Sequence, residues 1–172
     1  MSTPAPKKRS KAAPAGFALT LALLLGGGVE GREHLPYYDQ AGTLTVCGGI
    51  IGPEVIKGKW YGWGECDLLE QKFIKRMTAT MGKCIGEGLN ADEWKAWGHF
   101  TYNTGTTAFC KSAAAKRLQA GDYTGACKQM LRWTYITKPG RGAVNCRIAA
   151  EKCGGIPKRR DLEYGMCMGA QA

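Results

Sequence analysis

Eighteen consecutive residues, 12–29, carry no charge, reading A-A-P-A-G-F-A-L-T-L-A-L-L-L-G-G-G-V, and no other stretch so narrows what the chain can become. As a helix rising about 1.5 Å per residue they cover roughly 27 Å, just short of the approximately 30 Å hydrocarbon core of a bilayer. Pro14, Gly16, Thr20 and the triplet Gly26, Gly27 and Gly28 dilute the leucines, so the span is marginal. Residues 1–11 ahead of it are polar and basic, with Pro4, Pro6, Lys7, Lys8, Arg9 and Lys11, and read as a disordered n-region. Those cations stay cytoplasmic, which sends everything after the segment across the inner membrane. No clean small-x-small cleavage site precedes Glu30, so an N-terminal hydrophobic helix is expected to remain joined to the domain that follows, residues 30–172.

Export explains the cysteines. All eight, Cys47, Cys66, Cys84, Cys110, Cys127, Cys146, Cys153 and Cys167, lie on the exported side and would meet an oxidising compartment. Metal binding is the competing use, but there is no C-x-x-C, His34 and His99 are the only histidines, and no pair has zinc-ligand spacing. Disulfides are therefore expected, with no metal and no cofactor. A chain of 172 residues with 44% hydrophobic content supports one compact domain plus an extension, acting as a monomer. Its net charge of +10 draws it to polyanions, which could be nucleic acid, anionic lipid or an acidic cell wall. The cations are scattered rather than striped with aromatics, and no zinc-finger, P-loop or Rossmann spacing accompanies them, which argues against nucleic acid.

Chemistry concentrates in residues 28–52, where Glu30 is followed nine positions on by Asp39 and six further on by Thr45. Cleaving a glycosidic bond takes a protonated carboxyl to protonate the leaving oxygen and an ionised carboxylate to activate water or stabilise the oxocarbenium-like transition state. Residues 37–46 carry a hairpin pattern, with apolar and aromatic residues either side of a polar turn containing Gly42. Asp39 then starts the hairpin and Thr45 lies on the returning strand. The plainer alternative is an exposed hairpin with solvated acids.

At this level the stretch resembles the phage-type lysozymes, the muramidase endolysins of T-even and lambdoid phages. Their motif is a Glu, eight residues, an Asp or Cys, five residues and a Thr. The flanks E-G, P-Y-Y-D and T-V-C-x-G match the lambdoid members, while Ile50 replaces a structural His common after the Thr strand. Residues 119–135, with G-D-x-x-G-A-C and R-W-T-Y, and residues 155–168, G-I-P-K-R-R-D-L-E-Y-G-M-C-M, extend the resemblance to the far end of the chain.

The resemblance implies an α+β lysozyme-like fold: a small β-hairpin lobe and a larger helical lobe, joined by a long helix that the apolar periodicity of Leu68, Leu69, Phe73, Ile74 and Met77 puts at residues 64–81. Asn90 reads as the N-cap of a further helix through Trp94 and Trp97. Glu30, Asp39 and Thr45 are the implied catalytic residues. Tyr102, Asn103 and Ser112 are candidate substrate contacts in a cleft between the lobes, or else merely cap and pack a helix. Arg159 or Arg160 is a candidate for orienting Glu30, against a plain helix-start salt bridge, and Trp133 reads as packing. Cys146 with Cys153 would staple a short insertion relative to the lambdoid members. The implied activity is hydrolysis of the bond between N-acetylmuramic acid and N-acetylglucosamine in peptidoglycan, for host lysis and phage release. Residues 12–29 resemble a signal-anchor-release segment, which leaves the inner membrane uncleaved to free the enzyme into the periplasm; an ordinary membrane anchor is the alternative. Asp39 stands where some relatives have Cys, so a thiol-caged active site has no means here. Lytic transglycosylation and a catalytically inactive wall-binding protein are the competing functions.

Overall fold

The structure is a computed structural model, and the residues it describes are 7–18, 20–21, 32–39, 42–138 and 140–171. The chain divides into two compact units, Ala15–Thr78 and Met1–Pro14 with Ala79–Ala172.

In the smaller unit three short strands, β1 (Glu33–Tyr38), β2 (Leu44–Cys47) and β3 (Ile50–Ile51), form an antiparallel sheet in sequence order. Pro36 lacks an N–H to donate and is tolerated because β1 lies at the sheet edge. Thr45, Val46 and Cys47 are buried because β2 is the central strand. The helix α1 follows at Trp63–Met81, and Cys66, Ile74, Met77 and Met81 form its buried stripe. Leu68 faces outward, contrary to the apolar stripe expected for it. The acid Glu70 falls inside the stripe and is matched by Arg32 Nη2 at 3.0 Å and the Gly48 N–H at 3.3 Å. Burial still pushes its carboxyl above the ordinary value. A disulfide from Cys47 to Cys66 ties the end of β2 to the first turn of α1.

The larger unit is helical: α2 (Ala91–Thr104), α3 (Thr106–Lys111), α4 (Ala113–Gln119), α5 (Tyr123–Met130) and α6 (Gly155–Gly169). Asn90 caps α2 as expected, and the cap is a full box. Its side chain accepts from the Asp92 and Glu93 amides, and Glu93 accepts the Asn90 N–H. Trp97, Phe100 and Phe109 form the aromatic core, with the Trp133 ring edge-on to Phe100 at 5.3 Å. Gly105, at φ +84, lets the chain leave α2 and start α3 at once. A second hairpin, β4 (Tyr135–Lys138) with β5 (Gly142–Asn145), was not expected from the sequence, although its alternating residues around a glycine turn are ordinary hairpin chemistry.

Three further disulfides, Cys84–Cys110, Cys127–Cys167 and Cys146–Cys153, pair the remaining cysteines, the last being the staple anticipated above. The n-region differs from expectation. Residues 7–11 are not a disordered tail, since Ser10 exchanges two backbone hydrogen bonds of 2.9 Å with Leu89. Of the hydrophobic segment 12–29, most lies outside the described residues. Phe17, Ala18, Thr20 and Leu21 are helical, and Phe17 and Leu21 are buried. Among the described residues no helix is long and apolar enough to cross a membrane.

The disulfides close loops of different length, which sets an order of stability. Cys127–Cys167 spans 40 residues and Cys146–Cys153 only 7. Loop-closure entropy gives about 4 kcal/mol for the longer and about 2.4 kcal/mol for the shorter. Replacing each pair by alanine and following urea unfolding should show the larger loss for Cys127 with Cys167.

Candidate active site

The hairpin of the smaller unit positions two of the three residues singled out by spacing. Asp39 opens the turn immediately after β1, and the turn closes on it. The Asp39 N–H donates to the Thr43 carbonyl at 3.0 Å, and the Gly42 N–H donates to the Asp39 carbonyl at 2.9 Å. The Thr43 N–H donates to Asp39 Oδ1 at 2.8 Å. Gly42 takes φ +75, a left-handed conformation that disfavours a side chain. Thr45 sits opposite Tyr37 on β2 and is almost fully buried, and its hydroxyl donates to the Thr43 carbonyl at 2.9 Å. The backbone of Thr43 therefore braces both side chains, fixing one Asp39 oxygen through its N–H and the Thr45 hydroxyl through its carbonyl. With its proton so committed, the Thr45 oxygen is oriented as an acceptor. Glu30, the first residue of the spacing, lies outside the described residues.

Tyr102, Asn103 and Ser112 belong to the larger unit. Tyr102 is half-buried on α2. The Asn103 amide donates to the His99 carbonyl at 2.8 Å and accepts from Arg159 Nη1 at 2.6 Å. Ser112 is the N-cap of α4, accepting from the Ala115 N–H at 3.1 Å. It also lines an open pocket of about 380 Å³ with Gln129, Arg132, Trp133 and Tyr135. Trp133 thus packs on Phe100 with one part and walls a pocket with another.

The arginine pair opening α6 divides its work. Arg159 holds Asn103, while Arg160 is buried with Glu163. Arg160 Nη2 donates to Glu163 Oε1 at 2.9 Å. Its Nε lies 2.9 Å from Oε2 but out of line for a hydrogen bond, so that contact is electrostatic. His99 Nδ1 meets the same Oε1 at 2.7 Å, and the Arg160 guanidinium lies 4.8 Å from the Phe100 ring centre. Burial pulls the Arg160 guanidinium below its ordinary value, against the attraction of Glu163. Nothing in the sequence marks His99 and Glu163 as partners, because 64 residues separate them. Among the described residues no group of three or more His, Cys, Asp or Glu side chains is placed to hold a metal ion.

Comparison with known proteins places this geometry in a family context. The family model "Phage lysozyme" matches residues 27–163. The SAR-endolysin of Escherichia phage Mu is 34% identical over 163 residues, covering 87% of this chain and 88% of that protein. The SAR-endolysin of Bacteriophage PS34 is 32% identical over 179 residues, covering 98% of each. Among solved structures, an endolysin from Escherichia coli O157:H7 phage FAHEc1 superposes with a TM-score of 0.71 over 93% of this chain and 96% of that one; at 24% identity it establishes the lysozyme-like α+β fold.

The buried cluster gives a stability test. Glu163→Ala leaves Arg160 buried without its carboxylate and should cost about 3–5 kcal/mol in urea unfolding, with the larger unit melting first. Glu163→Gln, which retains an acceptor, should cost less.

Proposed function

The chain belongs to the phage lysozyme family, and from that premise we propose that it is an endolysin hydrolysing the β-1,4 bond between N-acetylmuramic acid and N-acetylglucosamine in peptidoglycan, lysing the host for phage release. The observation that carries the reading is the shared brace at Thr43, whose N–H and carbonyl orient the polar atoms of Asp39, at the turn, and of Thr45, on the returning strand. A water donating one proton to Asp39 and another to the Thr45 oxygen would present a lone pair for attack. Glu30 is the general acid in this scheme and protonates the leaving oxygen. Attack by a held water on the face opposite the leaving group inverts the anomeric carbon. No cofactor enters the chemistry. Tyr102, Asn103 and Ser112 are the proposed contacts for sugar rings and N-acetyl groups.

Residues 12–29 are proposed to hold the enzyme first in the inner membrane and then to leave it. The names of the relatives from phages Mu and PS34 support an anchored stage. Burial of Phe17 and Leu21 by protein, where an inserted segment would be covered by lipid, supports reading this conformation as the released one. The released enzyme acts on peptidoglycan in the periplasm as a monomer.

Glu30→Gln and Asp39→Asn should each reduce lysis of chloroform-treated Gram-negative cells by roughly 100-fold to 10,000-fold. Asn at position 39 keeps an oxygen for the Thr43 N–H, so Asp39→Asn should melt within a few degrees of the parent. Retention of near-parent activity by either variant would overturn the roles. Purified peptidoglycan should yield reducing ends; anhydro ends would instead mark transglycosylation. Replacing Gly26, Gly27 and Gly28 by leucine strengthens insertion, each leucine being favourable by a few tenths of a kcal/mol. That variant should fractionate with membranes and lyse late.

A further inference from the structure

The cations that orient a membrane segment are conventionally its exposed flank, yet here the strap that carries them, residues 7–11, is seated on the larger unit through its backbone and Arg9. Ser10 pairs with Leu89 through two backbone hydrogen bonds of 2.9 Å, and the Ser10 carbonyl also accepts from Trp94 Nε1 at 3.2 Å. Arg9 forks onto Glu93, with Nη2 2.8 Å from Oε1 and Nε 3.2 Å from Oε2, and lies 3.8 Å above the Tyr123 ring centre. Lys7 reaches Asp92 at 3.7 Å and the Ala170 carbonyl at 3.4 Å. Glu93 has no exposed surface, so its partners must come from the protein.

The floor beneath the strap is shaped to receive it. A Cβ on Gly82 would overlap the Lys11 carbonyl oxygen, and one on Gly88 would overlap the Ser10 backbone. At Gly82 the backbone is not in the left-handed region, and the nearest atom outside the strap that a Cβ would meet, the Ala79 carbonyl oxygen, lies at an ordinary 3.6 Å. The need for glycine at 82 therefore comes from the strap itself.

We propose that Gly82, Gly88, Leu89, Glu93, Trp94 and Tyr123 form a receptor groove for the chain's own basic strap, residues 7–11, and that this groove is filled only after the membrane segment has been released. The first half rests on the contacts above. The second rests on the anchored stage of the proposed function: with residues 12–29 across the bilayer, Lys7, Lys8, Arg9 and Lys11 lie on the cytoplasmic side, and the exported groove cannot reach them. Before release Glu93 keeps its cap amide but lacks its arginine. Docking then supplies the missing cation, and the Arg9–Glu93 fork holds the strap on the periplasmic side, which opposes reinsertion.

Two variants separate docking from topology. Arg9→Lys keeps the orienting charge but loses the fork and the stacking plane. Gly82→Ala leaves the N-terminus untouched and blocks the seat. On the purified full chain, trypsin should cut after Arg9 and Lys11 slowly in the parent and at least about tenfold faster in Gly82→Ala and Arg9→Lys, where the strap spends more time undocked. Mass spectrometry of the released N-terminal peptide reads the rate. Arg9→Ala should lower the melting temperature by about 5–10 °C, and by clearly less in a Glu93→Gln background, where no buried carboxylate is left unpaired. A parent strap cut as fast as a free peptide, or a Gly82→Ala strap as protected as the parent, would overturn the groove without touching the anchored stage. In cells, Arg9→Lys should reach the membrane with the parent's orientation but yield less released protein. Strap residues protected in the membrane-bound fraction would overturn the exclusivity, and absence of any membrane-bound fraction would overturn both it and the anchored stage while leaving the groove intact.

Discussion

Glu93 is buried at the third position of α2, and the larger unit is arranged around its carboxylate. It accepts the Asn90 N–H that starts the helix, the Arg9 fork from the N-terminal strap, and the Gln171 side-chain amide from beyond α6 at 2.9 Å. One side chain thus joins the beginning of α2 to both ends of the larger unit's sequence. Removing water from a carboxylate is costly, and the cost is offset only when donors converge from several directions. The requirement acts as a geometric constraint: the strap, the cap and the end of α6 must all be in place at once.

The same device recurs at the other buried acids among the described residues. Glu70 takes Arg32, Glu163 takes Arg160, and Glu151 takes Arg141, with Lys138 added. Arg141 and Arg160 each set their planar fork against both oxygens of one carboxylate, while Arg32 divides its nitrogens between Glu70 and Asp67. These pairs do little as sources of net stability, because desolvation consumes much of the attraction. Their effect is to penalise alternatives, since any rearrangement that removes one partner strands the other. The four disulfides act on the unfolded chain instead, by limiting its freedom.

Asp39 is handled differently. It is half-buried in a turn and held by the Thr43 backbone amide, and the Thr45 hydroxyl is locked by the carbonyl of the same residue. Backbone groups of Thr43 thus fix the direction of one Asp39 oxygen and of the Thr45 hydroxyl.

How much of this was legible in the sequence follows from the range of each interaction. The hairpin with Asp39 at its turn, the Asn90 cap and the span of α1 all depend on residues within a turn or two of one another, and spacing exposed them; the Cys146–Cys153 staple came from the resemblance, as an insertion relative to the lambdoid members. The family resemblance, carried by blocks at residues 30–49, 119–135 and 155–168, identified the fold without a single long-range contact being known. Outward-facing Leu68 escaped because an apolar residue beside a helical stripe looks the same whether it turns in or out. Arg9 and Glu93 are 84 residues apart and Arg32 and Glu70 are 38 apart, too far for spacing to pair them. The local elements, the acid spacing and the pairing state of the cysteines could be read from the residues, because they are set by short-range geometry and by chemistry. Which arginine meets which buried carboxylate, and the seating of residues 7–11 as a fitted strap, emerged from the folded chain, because those choices depend on where folding leaves a charge without water.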